Sequence, residues 1–328
     1  MELRPRAWSE LLIDDSDAGH EPVAGGVEGR HPPIRRVFIT GATGFLGRRM
    51  AARLVARSVE VHASRHHSLA PDLGGVTWHT LDLGKEESIR EVIETVGADA
   101  LIHLAWKLDA GYETSSENQA WVGRSLALAS AFVESGGRSI LMAGSCAEYD
   151  WSTVPLSEES PCRPSSPYGA AKLALYREVQ SLNDDVVTVV WPRLFFLFGE
   201  GERPERVIPR IIRDVAAGRS IDWIDADLRR DYLHADEATD AMVHLLCARV
   251  VGAVNVASGS APTVREIARI VASALEKQEP AMRPPAPSSS SPLEIRADVG
   301  KLHRLGWVPS RTVDQALVRL SRAATSDQ

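Results

Sequence analysis

Two residues able to handle a proton, a tyrosine and a lysine, stand four apart in Tyr168-Gly169-Ala170-Ala171-Lys172. On a helix that spacing puts phenol and ammonium on one face. Ser166 and Pro167 fit an N-cap and a first helical position, so the pair would occupy the helix's opening turns. The plainer alternative is a surface pair on an amphipathic helix whose Leu175, Val179 and Leu182 face inward. A hydroxyl that could join them is Ser145, in Ala143-Gly144-Ser145-Cys146-Ala147-Glu148-Tyr149, at the end of an apolar run. A carbonyl that receives hydride gains negative charge on oxygen, and a phenol, an ammonium and a hydroxyl suit that charge.

The second constellation is Gly41-Ala42-Thr43-Gly44-Phe45-Leu46-Gly47, between the apolar run Val37–Thr40 and a helical pattern of Leu46, Met50 and Leu54. Strand, glycine loop and helix in that order can bind the pyrophosphate of a dinucleotide. Gly41 permits the turn, Gly44 close backbone approach and Gly47 helix packing, while Thr43, Phe45 and Leu46 stand beside the helix's free N–H groups. The alternative is a glycine-rich turn without a ligand.

The Gly-x-x-Gly-x-x-Gly spacing resembles the short-chain dehydrogenase/reductase superfamily, and Thr40–Gly47 resembles its extended branch, the NAD-dependent epimerase/dehydratase type that acts on nucleotide sugars. Members carry a catalytic Ser or Thr four residues before a tyrosine, and Ser145 precedes Tyr149 by four. The resemblance implies a Ser145–Tyr168–Lys172 triad. In it Tyr168 donates the proton, Lys172 lowers the phenol's pKa and binds the nicotinamide ribose, and Ser145 polarises the carbonyl. It further implies adenine contacts at Asp82 and Leu83, and a cofactor wall at Leu104 and Ala105 after His103. NAD-binding proteins usually place an acidic residue where the second strand ends. This chain has Ser64-Arg65 there. A guanidinium suits a 2′-phosphate, so NADP(H) is favoured, with NAD(H) open and a solvated Arg65 as the alternative.

These residues need a frame. Apolar runs at Val37–Thr40, Val59–Ala63, Val76–His79, Ala100–Leu104, Ser139–Ala143 and Val186–Val190 read as strands, with helical patterns between most of them. That alternation predicts an α/β fold, a Rossmann-type doubly wound parallel sheet. After Trp191-Pro192 the alternation is expected to stop. Residues 34–192 then form the NADP(H)-binding domain, and 193–328 a smaller C-terminal substrate-binding lobe. Residues 1–33 read as a disordered extension, or as sequence ahead of the true start.

The second half carries the resemblance onward in Arg230-Asp231-Tyr232-Leu233-His234, whose arginine would bind a nucleotide diphosphate, and in Leu305-Gly306-Trp307-Val308-Pro309. Arg230 could instead be a surface residue or pair with Asp231. Two asparagines usual in the family are replaced, around Trp121 and at Phe196, a substrate-binding position. The Asp-Glu pair of sugar dehydratases is absent, its places being Cys146 and Ala147, and Glu148 is expected to point away. These features imply reduction of a keto group on a nucleotide-linked deoxysugar. A nucleotide-sugar epimerase with tightly bound NAD is the alternative, and a cofactor-sensing binding protein without turnover is an alternative of another class.

Composition limits the rest. A net charge of −7 across 328 residues leaves no basic footprint for nucleic acid. No apolar run is long enough to span a membrane. Three scattered cysteines suit neither a disulfide framework nor a metal site, so a cytoplasmic protein with reduced thiols and no metal is expected. The resemblance implies a homodimer through the helices near 117–134 and 168–182.

Overall fold

The computed structural model describes residues 33–66, 72–282 and 292–326. The reading of residues 1–33 therefore lies almost wholly outside the described residues, as does most of the Pro/Ser-rich stretch 284–292. Strands β1 (Arg36–Thr40), β2 (Glu60–Arg65), β3 (Val76–Thr80), β4 (Ala100–His103) and β5 (Ser139–Met142) alternate with helices α1 (Phe45–Ala56), α2 (Glu86–Val96) and α3 (Glu117–Glu134). Then come β6 (Gly144–Ser145), α4 (Pro167–Gln180), β7 (Thr188–Leu194), β8 (Phe196–Phe198), α5 (Val207–Ala216), β9 (Arg229–Arg230) and β10 (Tyr232–His234). The chain continues through α6 (Ala235–Cys247), β11 (Gly252–Val256), α7 (Val264–Ala274), β12 (Glu294–Ile295), α8 (Gly300–Arg304) and α9 (Val313–Ser326).

The main sheet is parallel, in the order β11-β7-β5-β4-β1-β2-β3, with β6 pairing beside β7. β4 and β5 are buried along their whole length, as strands covered by helices on both faces must be. Met50, Leu54, Leu246 and Trp307 fill one face, and Ile93, Leu128, Phe132, Leu175 and Trp191 the other. The strand order reverses between β1 and β4, and the crevice beyond their carboxyl ends is where such sheets bind ligands.

One expectation is corrected. The alternation does not stop at Trp191-Pro192, because β11 pairs in parallel with β7 and α6 packs against α1. The run Ala253-Val254-Asn255-Val256 is a buried strand like the others, but the lobe inserted before it hides the periodicity. A boundary at residue 192 also cuts through β7. The lobe has its own core of Ile208, Ile211, Tyr232, Ile267 and Leu317.

A buried histidine ties sheet to helix beneath the crevice. His103 Nδ1 lies 2.6 Å from Thr40 Oγ1 and its Nε2 lies 2.8 Å from Ser125 Oγ. Burial, helped by the nearby charge of Lys172, holds its pKa down at about 3. The folded state therefore keeps His103 neutral below pH ~6.5, where the unfolded chain takes up a proton, and stability is lost as pH falls through that window. Acidifying from pH 7 to pH 5 should cost about 2 kcal/mol through this residue. Urea unfolding at both pH values checks this: His103→Gln should be less stable than wild type at pH 7 yet show the shallower acid dependence.

Candidate active site

The glycine loop forms a cradle that side chains would fill. Gly41 has φ +75, and a Cβ there would come within 2.6 Å of the Ala105 nitrogen; one on Gly47 would come within 2.1 Å of the Gly41 oxygen. The Gly44 N–H closes the turn onto the Gly41 carbonyl at 3.0 Å. Gly44 then caps α1 with no side-chain bond, so no side-chain oxygen takes the first-turn N–H groups that favour an anion. Thr43, Phe45 and Leu46 line the same cleft, a space of about 1490 Å³.

Where β2 ends, Ser64 is buried and Arg65 closes the strand, both lining the cleft. Arg65 Nε is buried with no hydrogen-bond partner. A buried guanidinium donor without an acceptor is costly, which fits a site completed by an anionic ligand. Asp82 and Leu83 line the cleft next to the end of β2, Asp82 Oδ1 lying 3.7 Å from His66 Nε2. The Asp82 carboxylate accepts from the Gly84 N–H at 2.9 Å, and that bond lowers its pKa. Leu104 and Ala105 form the floor, their backbone against Gly41. The residues present thus fit a dinucleotide.

Ser145, Tyr168 and Lys172 meet at the other end of the cleft. The Ser166 hydroxyl caps α4 by accepting from the Gly169 N–H at 3.1 Å, with Pro167 in the first turn. Tyr168 and Lys172 therefore project together from that helix's start. Lys172 is only 5% exposed; its ammonium donates to the Ala143 carbonyl at 3.0 Å and lies 3.7 Å from the centroid of the Trp106 ring. Burial lowers its pKa to about 7, against an opposing pull from Glu148. The Tyr168 phenol is pushed well above its ordinary value, first by burial and then by Tyr112, while a hydrogen bond with Ser145 works the other way. This differs from the expectation that Lys172 lowers the phenol's pKa. Desolvation dominates at both groups, and the ammonium is turned toward Ala143 and Trp106, 5.9 Å from the Tyr168 ring centroid.

Glu148 is fully buried and was expected to point away along an extended segment. Instead Cys146–Glu148 winds into a short turn of 3-10 helix, capped by the Ser145 hydroxyl. The turn directs the carboxylate inward to accept from the Ser145 N–H at 2.8 Å, Trp191 Nε1 at 2.9 Å and Arg193 Nε at 2.8 Å. These bonds tie the backbone of Ser145 to β7. Burial pushes the Cys146 thiol up to about 12, so it is inert at neutral pH. Two glycines that motif reading passed over permit the arrangement. A Cβ on Gly144 would lie 2.1 Å from Trp191 Nε1, and one on Gly169 would lie 2.1 Å from the Ala147 oxygen. Neither has a sequence signal beyond its place in the motif.

The substrate side is aromatic. Trp121 stacks on Trp106 with centroids 5.8 Å apart, and Tyr112 meets Tyr168 edge-on at 5.0 Å. Trp121 Nε1 is buried without a partner. Arg230, 6% exposed, lines the cleft 5.6 Å from the Phe196 ring and donates to the carbonyls of Arg229, Pro292 and Leu293. The alternative of an Arg230–Asp231 pair is not seen, since Asp231 accepts from Ser258, Gly259 and Ala297. Glu200, His234 and Asp236 cluster as metal ligands could. Arg49 supplies a cation there, its Nε 2.8 Å from Asp236 Oδ1 and its Nη2 2.6 Å from the Glu200 carbonyl.

The model of the NAD dependent epimerase/dehydratase family matches residues 37–257. Over 319 residues the chain is 26% identical to UDP-glucose 4-epimerase of Streptomyces lividans, covering 86% of this chain and 94% of that protein. It is 26% identical to GDP-6-deoxy-D-mannose reductase of Pseudomonas aeruginosa, with 89% and 97% covered. Among solved structures, UDP-glucose 4-epimerase of Thermotoga maritima, determined with UDP-glucose, superposes with TM-score 0.79 at 17% identity, covering 89% of this chain and 99% of that one.

Two substitutions test the support of Ser145. Glu148→Ala strands the buried Arg193 guanidinium and should cost about 3–5 kcal/mol in urea unfolding. Gly169→Ala should help a helix by about 1 kcal/mol on propensity alone; here the contact with the Ala147 oxygen should make it less stable than wild type, read by thermal melting.

Proposed function

The chain belongs to the NAD dependent epimerase/dehydratase family of extended short-chain dehydrogenases/reductases, and we propose that it reduces a keto group on a nucleotide-linked deoxysugar with NADPH. The observation that carries this reading is Arg65, a cleft-lining arginine with an unpartnered buried Nε at the end of β2. A 2′-phosphate answers that donor, and a ribose hydroxyl answers it less well. NADPH is the reductant that exchanges with the cellular pool, so the choice of cofactor favours net reduction. The phenol supports the same direction, since burial keeps Tyr168 protonated and ready to donate.

The residues then divide the work. N–H groups of Gly44, Phe45 and Leu46 hold the pyrophosphate, Ser64 and Arg65 the 2′-phosphate, Asp82 and Leu83 the adenine, and Leu104 and Ala105 the floor. When bound, a reduced nicotinamide would supply the hydride that the carbonyl carbon accepts. Ser145 hydrogen-bonds the carbonyl oxygen and orients it. Tyr168 gives its proton to that oxygen as negative charge develops, leaving an alcohol. Lys172, one turn along the same face of α4, holds the nicotinamide ribose. Arg230 binds the substrate's diphosphate, with Phe196 against the ligand. The three free thiols support a cytoplasmic site of action, and the family resemblance supports a homodimer through α3 and α4.

Epimerisation with bound NAD is the second reading, favoured by the likeness to the Streptomyces protein. The two differ in what the cofactor does. Mixing the protein with NADPH and nucleotide-linked keto-sugars should bleach the reduced cofactor stoichiometrically; isomerised sugar with no net consumption of NADPH would decide for the epimerase. Tyr168→Phe should lower turnover by about 10²–10⁴-fold while keeping NADPH binding. Arg65→Ala should weaken NADPH binding roughly ten- to hundredfold and leave NADH nearly unchanged, as measured by fluorescence titration.

A further inference from the structure

Glu202 carries the one carboxylate oxygen, among the described residues, that is buried with no hydrogen-bond partner. Its side chain is 9% exposed and lines the substrate side of the cleft. The other oxygen faces Arg206 Nε at 3.5 Å, long for a charge-assisted bond, and that guanidinium is half exposed at the cleft wall. Glu202, Arg206 and Arg230 line the same cleft, and all three act electrostatically on the Tyr232 phenol. Arg206 also acts electrostatically on the Tyr112 phenol, whose ring meets that of Tyr168 edge-on.

A diphosphate diester carries two negative charges, and Arg230 offers one positive charge. Arg206 is a second, loosely held cation lining the same cleft. We infer that Glu202 is a counter-ion that holds Arg206 until a ligand's diphosphate takes the guanidinium, and that the released carboxyl then keeps a proton. Binding of a diphosphate at this cleft is thereby coupled to proton uptake. The inference rests on the reading of the cleft as a site for diphosphate ligands, and the diphosphate can belong to a nucleotide sugar or to the cofactor.

The surroundings fit such a switch. Burial raises the Glu202 pKa to about 7, with Arg206 and then Arg49 pulling it down. Arg49, from α1, is itself paired with Asp236 and lies 3.7 Å from Glu200, while Tyr232 from β10 faces Glu202 as a neutral phenol raised by burial. Arg203, in the same loop, donates to the Leu108 carbonyl at 2.7 Å and lies 3.5 Å from Asp109. Arg206 is therefore the cation whose departure leaves Glu202 least compensated.

Isothermal titration in two buffers of different ionisation enthalpy tests this on the full chain at pH 6, 7 and 8. The ligands are NAD⁺ in one arm and UDP-glucose, dTDP-glucose and GDP-mannose in the other, none of which titrates in that range. Wild type should take up little proton at pH 6 and increasingly more toward one at pH 8, with affinity falling several-fold between pH 7 and 8. Glu202→Gln should show no uptake, a flat pH profile and up to about tenfold tighter binding at pH 8. The arm that shows the coupling identifies whose diphosphate takes Arg206. Uptake that persists in Glu202→Gln would belong to Lys172 and overturn the inference, as would wild-type binding with no uptake, while the reading of the cleft stands. If no diphosphate ligand binds wild type, that reading falls as well.

Discussion

A single buried carboxylate organises the reacting end of this protein. Glu148 lies at the end of the sheet, ion-paired to Arg193 with neither side chain more than 3% exposed. Taking two charges out of water costs several kcal/mol per ion, and the pair survives only where other donors satisfy the carboxylate. Here the Ser145 N–H and the Trp191 indole do so. The arrangement joins the turn that carries Ser145 to β7, so the hydroxyl's position follows from the sheet and owes little to the loop.

Burial sets the chemistry of what is left. Desolvation acts in opposite directions on the two catalytic candidates, raising the phenol's pKa and lowering that of the ammonium, because in each case the neutral form is favoured. Tyr168 is thereby a stored proton. Lys172 keeps a marginal charge near neutrality, supported by the Ala143 carbonyl and the face of Trp106, two interactions that lack a full counter-charge.

Much of this was legible in the residues. The glycine spacing between an apolar run and a helical pattern located the turn from β1 into α1, and the Tyr-x-x-x-Lys pair with its Ser-Pro start located α4, because both motifs are local and their geometry follows from helix and turn rules. What escaped was non-local. Nothing near Glu148 in the chain shows that it meets Trp191 and Arg193, more than forty residues on. Gly144 and Gly169 carry no local sign that each faces an atom 2.1 Å from its missing Cβ. β11 was missed for the same reason, since its partner β7 is separated from it by the inserted lobe. The influence of Lys172 on Tyr168 was misjudged because sequence spacing reports a shared face and says nothing of depth.

The lobe and the phosphate loop are mechanically one piece, and this constrains how the cleft can work. Arg49 belongs to α1, the helix whose start forms the anion site, yet its guanidinium is spent on the Glu200 carbonyl and the Asp236 carboxylate in the lobe segment and at the start of α6. The Glu200 carboxyl is held down at about 2, despite burial, by His234 and Arg49. A buried ion network of that kind resists separation, because breaking it would leave charges uncompensated. Any widening of the cleft must therefore come from side chains and loops away from this joint, and discrimination among ligands falls to the groups that face them: Arg65 at one end, the Trp106–Trp121 stack and Arg230 at the other. Trp121 and Phe196, where the resemblance would place asparagines, make that second end aromatic.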